Sequence, residues 1–314
     1  MKISVLIPAY NCAKTLRSTL ESVFAQTSPA DEIIVLDDGS TDQTPELLRS
    51  YQLQIKFFRK PNGGVAETRN ALVAAAKNEM IAFIDADDLW HPRYLETQRK
   101  LFNLHPNASA YFIAHTSFTG LGEYKWQDEY VKQELRTEYF EAAPFLKRFR
   151  TAPGHFVLSF ACISATVLRA MGDEPFRERI AEDVYLCWML PLYGPIVFAS
   201  APLLGAYRGT PGSLSSNRLK SAELEVKVLE LLEGRFATAD IGLEKEFEVA
   251  FHSKLRTHAK ILMSAGRAEE AHAQLRRSLG RSINPVSLAK SFALLSLSYL
   301  PRPLQPKWPP VDRV

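Results

Sequence analysis

The chain of 314 residues is 46% hydrophobic and 23% charged, an ordinary globular composition with length for one large domain or two smaller ones. Its formal net charge of +3 is too small to favour nucleic acid as the main partner. Cys12, Cys162 and Cys187 have no metal-ligand or disulfide spacing, which fits a reducing compartment. The N-terminus begins with strand residues rather than a signal peptide, so we expect a cytoplasmic protein.

The first 90 residues predict alternating strands and helices. Apolar runs predict strands at 3–7, 32–36, 54–58 and 80–84, and helical spacing predicts helices at 13–26, 44–51 and 65–76. Strands of this kind pair in parallel and are covered on both faces, and ligands bind outside their carboxyl ends. Pro8, the pair Asp37 and Asp38, and the pair Asp85 and Asp87 all follow strands, so we expect them at one edge of the sheet.

The acidic run from Asp85 to Asp88 follows the buried strand at 80–84. Carboxylates this close raise one another's pKa unless a cation lies among them. A divalent cation held by one or two carboxylates and a ligand's phosphates would relieve the repulsion. The alternative is that Asp87 or Asp88 caps the next helix, which we predict from residue 90 to about 110.

Two polar turns lie near this edge. The loop 37–42 contains the adjacent carboxylates Asp37 and Asp38, which can accept hydrogen bonds from a base or a ribose. Its last three residues, 40–42, are explained by capping of the next helix alone. The turn Gly63-Gly64 opens a helix that carries Arg69, which can reach a diphosphate or pair with the acidic loops. A plain surface turn with a solvated arginine is the alternative for this segment.

Two later segments complete the candidate site. Glu182-Asp183 precedes an apolar helix predicted to end near residue 190, and a carboxylate there is either a cap or a general base. Arg208 precedes the polar loop 209–217, which can close over a diphosphate leaving group or be merely flexible.

In their combined order these motifs resemble the family 2 inverting glycosyltransferases of the GT-A fold, over about residues 1–215. The motifs are Ile3-Ser4-Val5-Leu6-Ile7-Pro8-Ala9-Tyr10-Asn11, Asp37-Asp38-Gly39-Ser40-Thr41-Asp42, residues 63–70, Phe83-Ile84-Asp85-Ala86-Asp87-Asp88 and Glu182-Asp183. The resemblance implies an α/β fold with a Rossmann-like mixed sheet flanked by helices. It also implies transfer of a hexose or N-acetylhexosamine from a UDP-linked donor to an acceptor hydroxyl, in the synthesis of a cell-surface glycan or polysaccharide.

The resemblance also implies roles for the residues at the donor. Pro8 and Tyr10 would lie against the nucleotide base, and Asp38 would accept a hydrogen bond from it. Asp85 would lie near the ribose and the sugar. Asp87 would hold Mn²⁺ or Mg²⁺ against the diphosphate.

Other matched residues would serve the transfer step. Asp183 would be the catalytic base, and Glu182 would lie beside it near a glycan or lipid-linked acceptor. Arg69 and Arg208 are candidates for the phosphate and sugar contacts. The chain departs from the family in the late loop, where Thr210 occupies a position that is often His.

Two other classes of function remain open from the sequence. A nucleotidyltransferase also places acids near a metal and a nucleotide, but it is expected to carry a glycine-rich basic loop after the first strand, where this chain has Pro8-Ala9-Tyr10-Asn11. A non-catalytic nucleotide-sugar-binding or scaffolding protein would not need the pair Glu182-Asp183. The intact pair therefore favours an enzyme.

We predict a glycosyltransferase domain over 1–220, with a nucleotide-sugar half at 1–110 and an acceptor half at 111–220, followed by a helical region at 221–314. Residues 251–314 hold eleven basic and three acidic residues, a net charge of +8. The segment 286–300 is apolar but too short for a comfortable membrane span. Residues 281–314 could therefore rest on an anionic membrane surface, or pack on the catalytic domain or a second subunit.

Overall fold

The computed structural model describes residues 1–172, 175–177, 181–209, 217–238, 241–281 and 285–299. The strands are β1 (Ile3–Ala9), β2 (Glu32–Asp37), β3 (Lys56–Arg59), β4 (Met80–Phe83), β5 (Leu89–Trp90), β6 (Ala110–Ile113), β7 (His115–Thr119), β8 (Arg136–Phe140), β9 (Ala161–Ser164), β10 (Ile196–Ala201) and β11 (Gly205–Gly209). The helices are α1 (Leu16–Phe24), α2 (Thr44–Ser50), α3 (Val65–Ala75), α4 (Tyr94–Leu104), α5 (Asp128–Val131), α6 (Ala142–Thr151), α7 (Ala165–Ala170), α8 (Glu182–Met189), α9 (Arg218–Phe236), α10 (Ile241–Ser264), α11 (Ala268–Arg281) and α12 (Pro285–Ser298).

Eight strands form one mixed sheet in the order β3-β2-β1-β4-β9-β6-β10-β8. The first four pair in parallel, which confirms the prediction for the alternating region. β9 runs antiparallel to both β4 and β6. The carboxyl ends of β2, β1 and β4 therefore lie side by side, and the polar residues that follow these strands are brought to one edge.

The apolar composition of the central strands follows from their position. Every residue of β4 is buried, and β1 is buried except for a half-exposed Pro8. One side of α1, with Leu16, Leu20 and Val23, packs into the same core as Val5 and other strand residues. Strands enclosed in this way lose contact with water on both faces, which is why they carry continuous apolar runs.

The helix predicted from residue 90 to about 110 was wrong at both ends, because α4 runs only from Tyr94 to Leu104 and Ala110 begins β6. Leu89 and Trp90 instead form β5, which pairs with Ala206 and Gly205 of β11 in a second sheet of order β5-β11-β7. The residue before a proline is disfavoured in helical geometry, and Pro92 delays the start of α4 to Tyr94. Asp87 and Asp88 consequently cap no helix.

Other boundaries shift by a few residues. The predicted strand 54–58 is Lys56–Arg59, and the predicted helix 13–26 is Leu16–Phe24. Further along the chain, a turn of 3₁₀ helix at Leu158–Phe160 leads directly into the strand Ala161–Ser164. The strands of the candidate site end within two residues of their predicted ends, at Ala9, Asp37 and Phe83.

The chain divides into two compact units. The first comprises Met1–Glu178 and Tyr185–Thr210, and the second comprises Arg179–Val184 and Pro211–Val314. The second unit carries α9 to α12 and has a small core of its own around Ala259, Leu262, Ala271 and Leu275. Among the described residues, none of the helices combines the length and apolar character needed to cross a membrane.

Candidate functional site

Three neighbouring strands deliver the predicted donor-binding residues. β1 continues through Pro8, which pairs with Leu36, instead of ending there, and Tyr10 follows it with 51% of its surface exposed. Asp38 follows β2, and Asp85 lies two residues beyond β4. Since β1 lies between β2 and β4, the structure brings these residues to one edge. An exposed ring beside buried carboxylates is suited to stack on a planar base.

Asp38 is buried and bound by the chain's own donors. Its carboxylate accepts hydrogen bonds from Lys60 Nζ at 2.5 Å and from the backbone N–H groups of Gly63 and Gly64, each at 2.9 Å. Burial alone would raise the pKa of Asp38, but these three donors outweigh it and hold the pKa below its usual value. The N–H groups of the Gly63-Gly64 turn therefore serve this carboxylate and not a phosphate.

The loop after β2 is tied to the end of β1 by Asn11, a residue that the sequence argument did not assign. Asn11 has a positive φ of 47°, its Oδ1 accepts from Thr41 N at 2.8 Å, and its N–H donates to Ser40 Oγ at 2.9 Å. Asparagine tolerates this left-handed conformation better than most residues. An asparagine two residues after a strand was the available signal.

Gly39 allows a close approach within the protein. Its φ is +74°, and a Cβ there would lie 2.7 Å from the backbone N of Asn62. The neighbouring Asp37 is fully buried, accepts from Ser40 N at 2.9 Å and lies 3.1 Å from Arg59 Nε. Both carboxylates of the pair thus organise the turns that surround the strand ends.

Arg69 reaches across from α3 to the acidic run. Its Nη2 donates to Asp85 Oδ1 at 2.6 Å, and its guanidinium lies 5.8 Å from the ring centre of Phe176. The arginine is buried, whereas Asp85 keeps about a third of its side chain exposed. A buried guanidinium requires a charged partner, and the partly exposed carboxylate can still meet a ligand. Arg69 is therefore placed to orient Asp85.

Arg208, on β11, holds the backbone of the acidic run. Its N–H donates to Asp88 Oδ1 at 2.8 Å, its Nε donates to the Asp87 carbonyl at 2.7 Å, and its Nη1 donates to the Gly120 carbonyl. The guanidinium also lies over the Phe118 ring, 4.4 Å from its centre. The side chain is almost wholly buried, so its contacts in this structure fix the peptide that carries Asp87.

The electrostatics of the run match the expectation that its carboxylates crowd one another. Burial, followed by the negative charges of Asp85 and Asp87, raises the pKa of Asp88 well above its usual range. A hydrogen bond from Ser159 and the Arg208 N–H offset this only in part. A positive charge near the run would favour the ionised forms.

These residues fit a divalent cation in one specific way. Within the described part of the chain, no group of three or more His, Cys, Asp or Glu side chains forms a ready-made metal site. Crowded carboxylates at a strand end supply the oxygen ligands that Mg²⁺ and Mn²⁺ prefer, and such ions often complete their shell with substrate phosphates. The donor set therefore fits a cation bound together with a diphosphate.

Glu182 and Asp183 form the first turn of α8. Asp183 is exposed, and its Oδ1 accepts from the Val184 N–H at 2.8 Å. Contacts group residues 179–184 with the second unit, while Tyr185 and the buried remainder of the helix belong to the first. Residues 210–216, which include Thr210 and most of the predicted closing loop, lie outside the described residues.

Comparison with known proteins gives concordant results. The description "Glycosyl transferase family 2" belongs to a family model that matches residues 4–169, more than half of the chain. An uncharacterized glycosyltransferase of Rickettsia felis is 32% identical over 154 residues, which cover 48% of this chain and 24% of that protein. The chain spans at most a third of the length of the first curated relatives that it matches.

Solved structures resemble a larger part of the chain. Residues 1–349 of S. aureus TarS in complex with UDP-GlcNAc share 20% identity at a TM-score of 0.70, covering 97% of this chain and 93% of that one. The mannosyltransferase PcManGT from Pyrobaculum calidifontis, in complex with GDP-Man and Mn²⁺, shares 17% identity at a TM-score of 0.58 and covers 96% and 81%. These likenesses show the GT-A fold predicted from the sequence. The family match, which spans the strand ends from Pro8 to Asp88, shows that this chain belongs to glycosyl transferase family 2.

Proposed function

We propose that this protein is a metal-dependent inverting glycosyltransferase that moves a sugar from a UDP-linked donor to an acceptor hydroxyl. The proposal rests on how two arginines hold the acidic run. Buried Arg69 pairs with Asp85, and Arg208 donates a hydrogen bond to the Asp87 carbonyl. Both carboxylates lie on one sheet edge with Tyr10 and Asp38. A base, a ribose and a diphosphate therefore each have suitable residues there.

The base of the donor lies against Pro8 and Tyr10 in this proposal. A carboxylate has about four acceptor positions, and three hydrogen bonds from the protein already reach Asp38. The remaining position accepts from the ring N–H of uracil. The internal donors keep the Asp38 carboxylate ionised and hold it in one orientation. Its free acceptor position therefore points in a fixed direction toward the ligand.

The diphosphate lies beside Asp87, with Asp85 toward the ribose and the sugar. A bound Mn²⁺ or Mg²⁺ would be held by Asp87 and would supply positive charge to the departing diphosphate. Arg69 acts in the same place by fixing Asp85, and Arg208 acts by fixing the Asp87 peptide. The complexes of PcManGT with GDP-Man and Mn²⁺ and of TarS with UDP-GlcNAc support a nucleotide-sugar donor.

Asp183 removes the proton from the acceptor hydroxyl as that oxygen attacks the anomeric carbon. The new bond forms on the face opposite the leaving UDP, so the anomeric configuration inverts in a single displacement. The exposed carboxylate of Asp183 at the start of α8 supports this role, because a base must reach an incoming molecule. Glu182, next to it, contacts the acceptor, which we propose to be a glycan or a lipid-linked saccharide in polysaccharide synthesis.

The first experiment compares Asp183→Asn with the unchanged protein. We expect transfer to fall by about 10²- to 10⁴-fold, the usual contribution of a general base, while UDP affinity changes by less than about twofold. Release of UDP from a set of UDP-sugars and isothermal calorimetry with UDP measure the two quantities. Asp128→Asn, at an exposed acid of α5, is the matched control.

The outcomes separate the possible classes. Equal loss of transfer and of UDP affinity in Asp183→Asn would show that this residue binds the donor. Binding of UDP-sugars without UDP release under any acceptor would support a binding protein instead. Release of pyrophosphate from a nucleoside triphosphate would support a nucleotidyltransferase.

The second experiment tests the cation. UDP affinity is measured with Mn²⁺ and with a chelator, for the unchanged protein and for Asp87→Ala. We expect Mn²⁺ to strengthen binding in the unchanged protein and to have little effect in the variant. An Asp87→Ala protein that still gains affinity from Mn²⁺ would remove Asp87 from the metal site.

A further inference from the structure

The side-chain amide of Asn70, on α3, binds both backbone polar groups of a residue far along the chain. Its Nδ2 donates to the Phe176 carbonyl at 2.8 Å, and its Oδ1 accepts from the Phe176 N–H at 2.9 Å. The two residues are 106 positions apart. Phe176 is fully buried, so its backbone groups would be costly to leave without partners. Asn70 therefore fixes Phe176 against α3 in one orientation.

The ring of Phe176 lies against two residues that lead to Asp85. Its centre is 5.5 Å from the centre of the Phe83 ring, in an edge-to-face arrangement. Phe83 is the last residue of β4, two positions before Asp85. The Arg69 guanidinium lies over the Phe176 ring, 5.8 Å from its centre, a distance at which a cation is attracted to an aromatic face. Phe176 thus contacts both the strand that precedes Asp85 and the arginine that pairs with it.

The carboxylate of Asp85 takes its direction from Arg69. The Asp85 N–H donates to Ser159 Oγ at 3.0 Å, which fixes the backbone. The side chain is about a third exposed and accepts from Arg69 Nη2 at 2.6 Å. A group that must meet a ligand in one geometry needs partners that are themselves locked by packing and hydrogen bonds. For Arg69, Phe176 supplies part of that packing, and Asn70 holds Phe176 in place.

We propose that Asn70 and Phe176 are positioning residues for the nucleotide-sugar donor, because they hold Arg69 in the orientation that directs Asp85 toward the ribose. The inference rests on the proposed function, in which Asp85 lies toward the ribose and the sugar. The effect passes from the Asn70 amide to the Phe176 ring, then to the Arg69 guanidinium and finally to the Asp85 carboxylate. Asn70 and Phe176 act in this way without having to touch the donor.

A double-mutant cycle in UDP affinity tests the proposal. Isothermal calorimetry with UDP and Mn²⁺ is carried out on the unchanged protein, Asn70→Ala, Arg69→Met and the double variant. We expect Asn70→Ala to weaken UDP binding by about three- to tenfold, because Asp85 loses its fixed direction. In the Arg69→Met background the same change should alter the affinity by less than about 1.5-fold, because the residue through which Asn70 acts is gone.

The cycle separates positioning from a purely structural role. A structural contribution would persist in the Arg69→Met background, since the buried backbone groups of Phe176 lose their partner there as well. Phe176→Leu is a second variant, which keeps an apolar side chain near Phe83 but removes the aromatic face beneath Arg69. It should also weaken UDP binding, and this effect should likewise disappear in the Arg69→Met background.

A matched control and a measurement of folding accompany these variants. Asn103→Ala, at an exposed asparagine of α4, should leave UDP affinity unchanged. Urea denaturation shows that each variant is folded under the conditions of the assay.

Two results would overturn the inference and leave the proposed function standing. One is equal weakening by Asn70→Ala in the unchanged and the Arg69→Met backgrounds. The other is a folded Asn70→Ala protein that binds UDP as tightly as the unchanged protein. Failure of the unchanged protein to bind UDP with Mn²⁺ would instead refute the proposed function, and the inference with it.

Discussion

The strand-end site and the C-terminal helices both depart from the usual division between a polar surface and an apolar interior, but in opposite ways. At the strand ends, charged side chains are buried and each receives specific partners, as Asp38 does from Lys60 and Arg69 does from Asp85. In the C-terminal unit, serines are buried and large apolar side chains are exposed on α12.

This difference indicates what each region is suited to bind. Buried, oriented charge has a cost that a polar or charged ligand can repay, because the charges are already fixed before it binds. Large apolar side chains that are left exposed can mark a surface that another molecule covers. The strand-end site is therefore suited to a charged ligand, whereas α12 carries large apolar side chains in contact with water.

The largest effect is expected from Asp85→Ala, which removes a charged partner of buried Arg69. We expect the free energy of unfolding to fall by about 2–3 kcal/mol, below the value for a fully buried pair because Asp85 is partly exposed. Urea denaturation measures it. A double-mutant cycle with Arg69→Met should give a total loss smaller than the sum of the single losses, and strict additivity would show that the two side chains are not coupled.

The pH dependence of stability should include a contribution from His115, on β7, since burial lowers its pKa to about 4. The unfolded chain, with a pKa of about 6.5, binds the proton first, so stability should fall as the pH drops from about 6.5 to 4. The expected loss is about 2 kcal/mol after allowance for residual exposure. His115→Gln should flatten thermal stability over this pH interval; an unchanged slope would assign the loss to other groups.

Arg208→Lys tests whether the buried guanidinium positions the Asp87 peptide. A lysine ammonium cannot reproduce the planar set of donors that meets both the Asp87 and the Gly120 carbonyls. We expect Mn²⁺-dependent UDP affinity to weaken about tenfold, with metal-free affinity nearly unchanged. Equal weakening with and without Mn²⁺ would mean that Arg208 acts on the nucleotide by another route.

The smallest effects on stability are expected in α12. There, loss of a buried serine hydroxyl should cost more than loss of an exposed phenylalanine ring. Ser291→Ala removes the hydroxyl contact with Ser278 and should cost about 1 kcal/mol of unfolding free energy. Phe292→Ser, at an exposed position, should change stability by less than about 0.5 kcal/mol. If the phenylalanine variant were the less stable of the two, the assignment of buried and exposed faces would be reversed.

The meeting of the candidate donor-binding residues at one edge was largely predictable because it depends on strand ends. Continuous apolar runs identify buried parallel strands, so the placement of Pro8, Asp38, Asp85 and Asp87 follows from local pattern, whereas Tyr10 was assigned through the family resemblance. The internal donors to Asp38 were not predictable, because Lys60, Gly63 and Gly64 reach it from another turn. The contacts of Asp88 were not predictable either. The sequence suggested a helix cap, whereas in the structure its carboxylate accepts a hydrogen bond from the Arg208 N–H.

Short-range spacing and residue order were enough to predict the alternation of strands and helices, the acidic run at a strand end and the family. Tertiary structure decided which charges pair, because Arg69 and Asp85 are 16 residues apart, and Arg208 and Asp88 are 120 apart. It also decided which face of α12 turns outward. The apolar residues of that helix would favour burial, but contacts with Arg256 and Ser278 on other helices hold Ser287 and Ser291 inside.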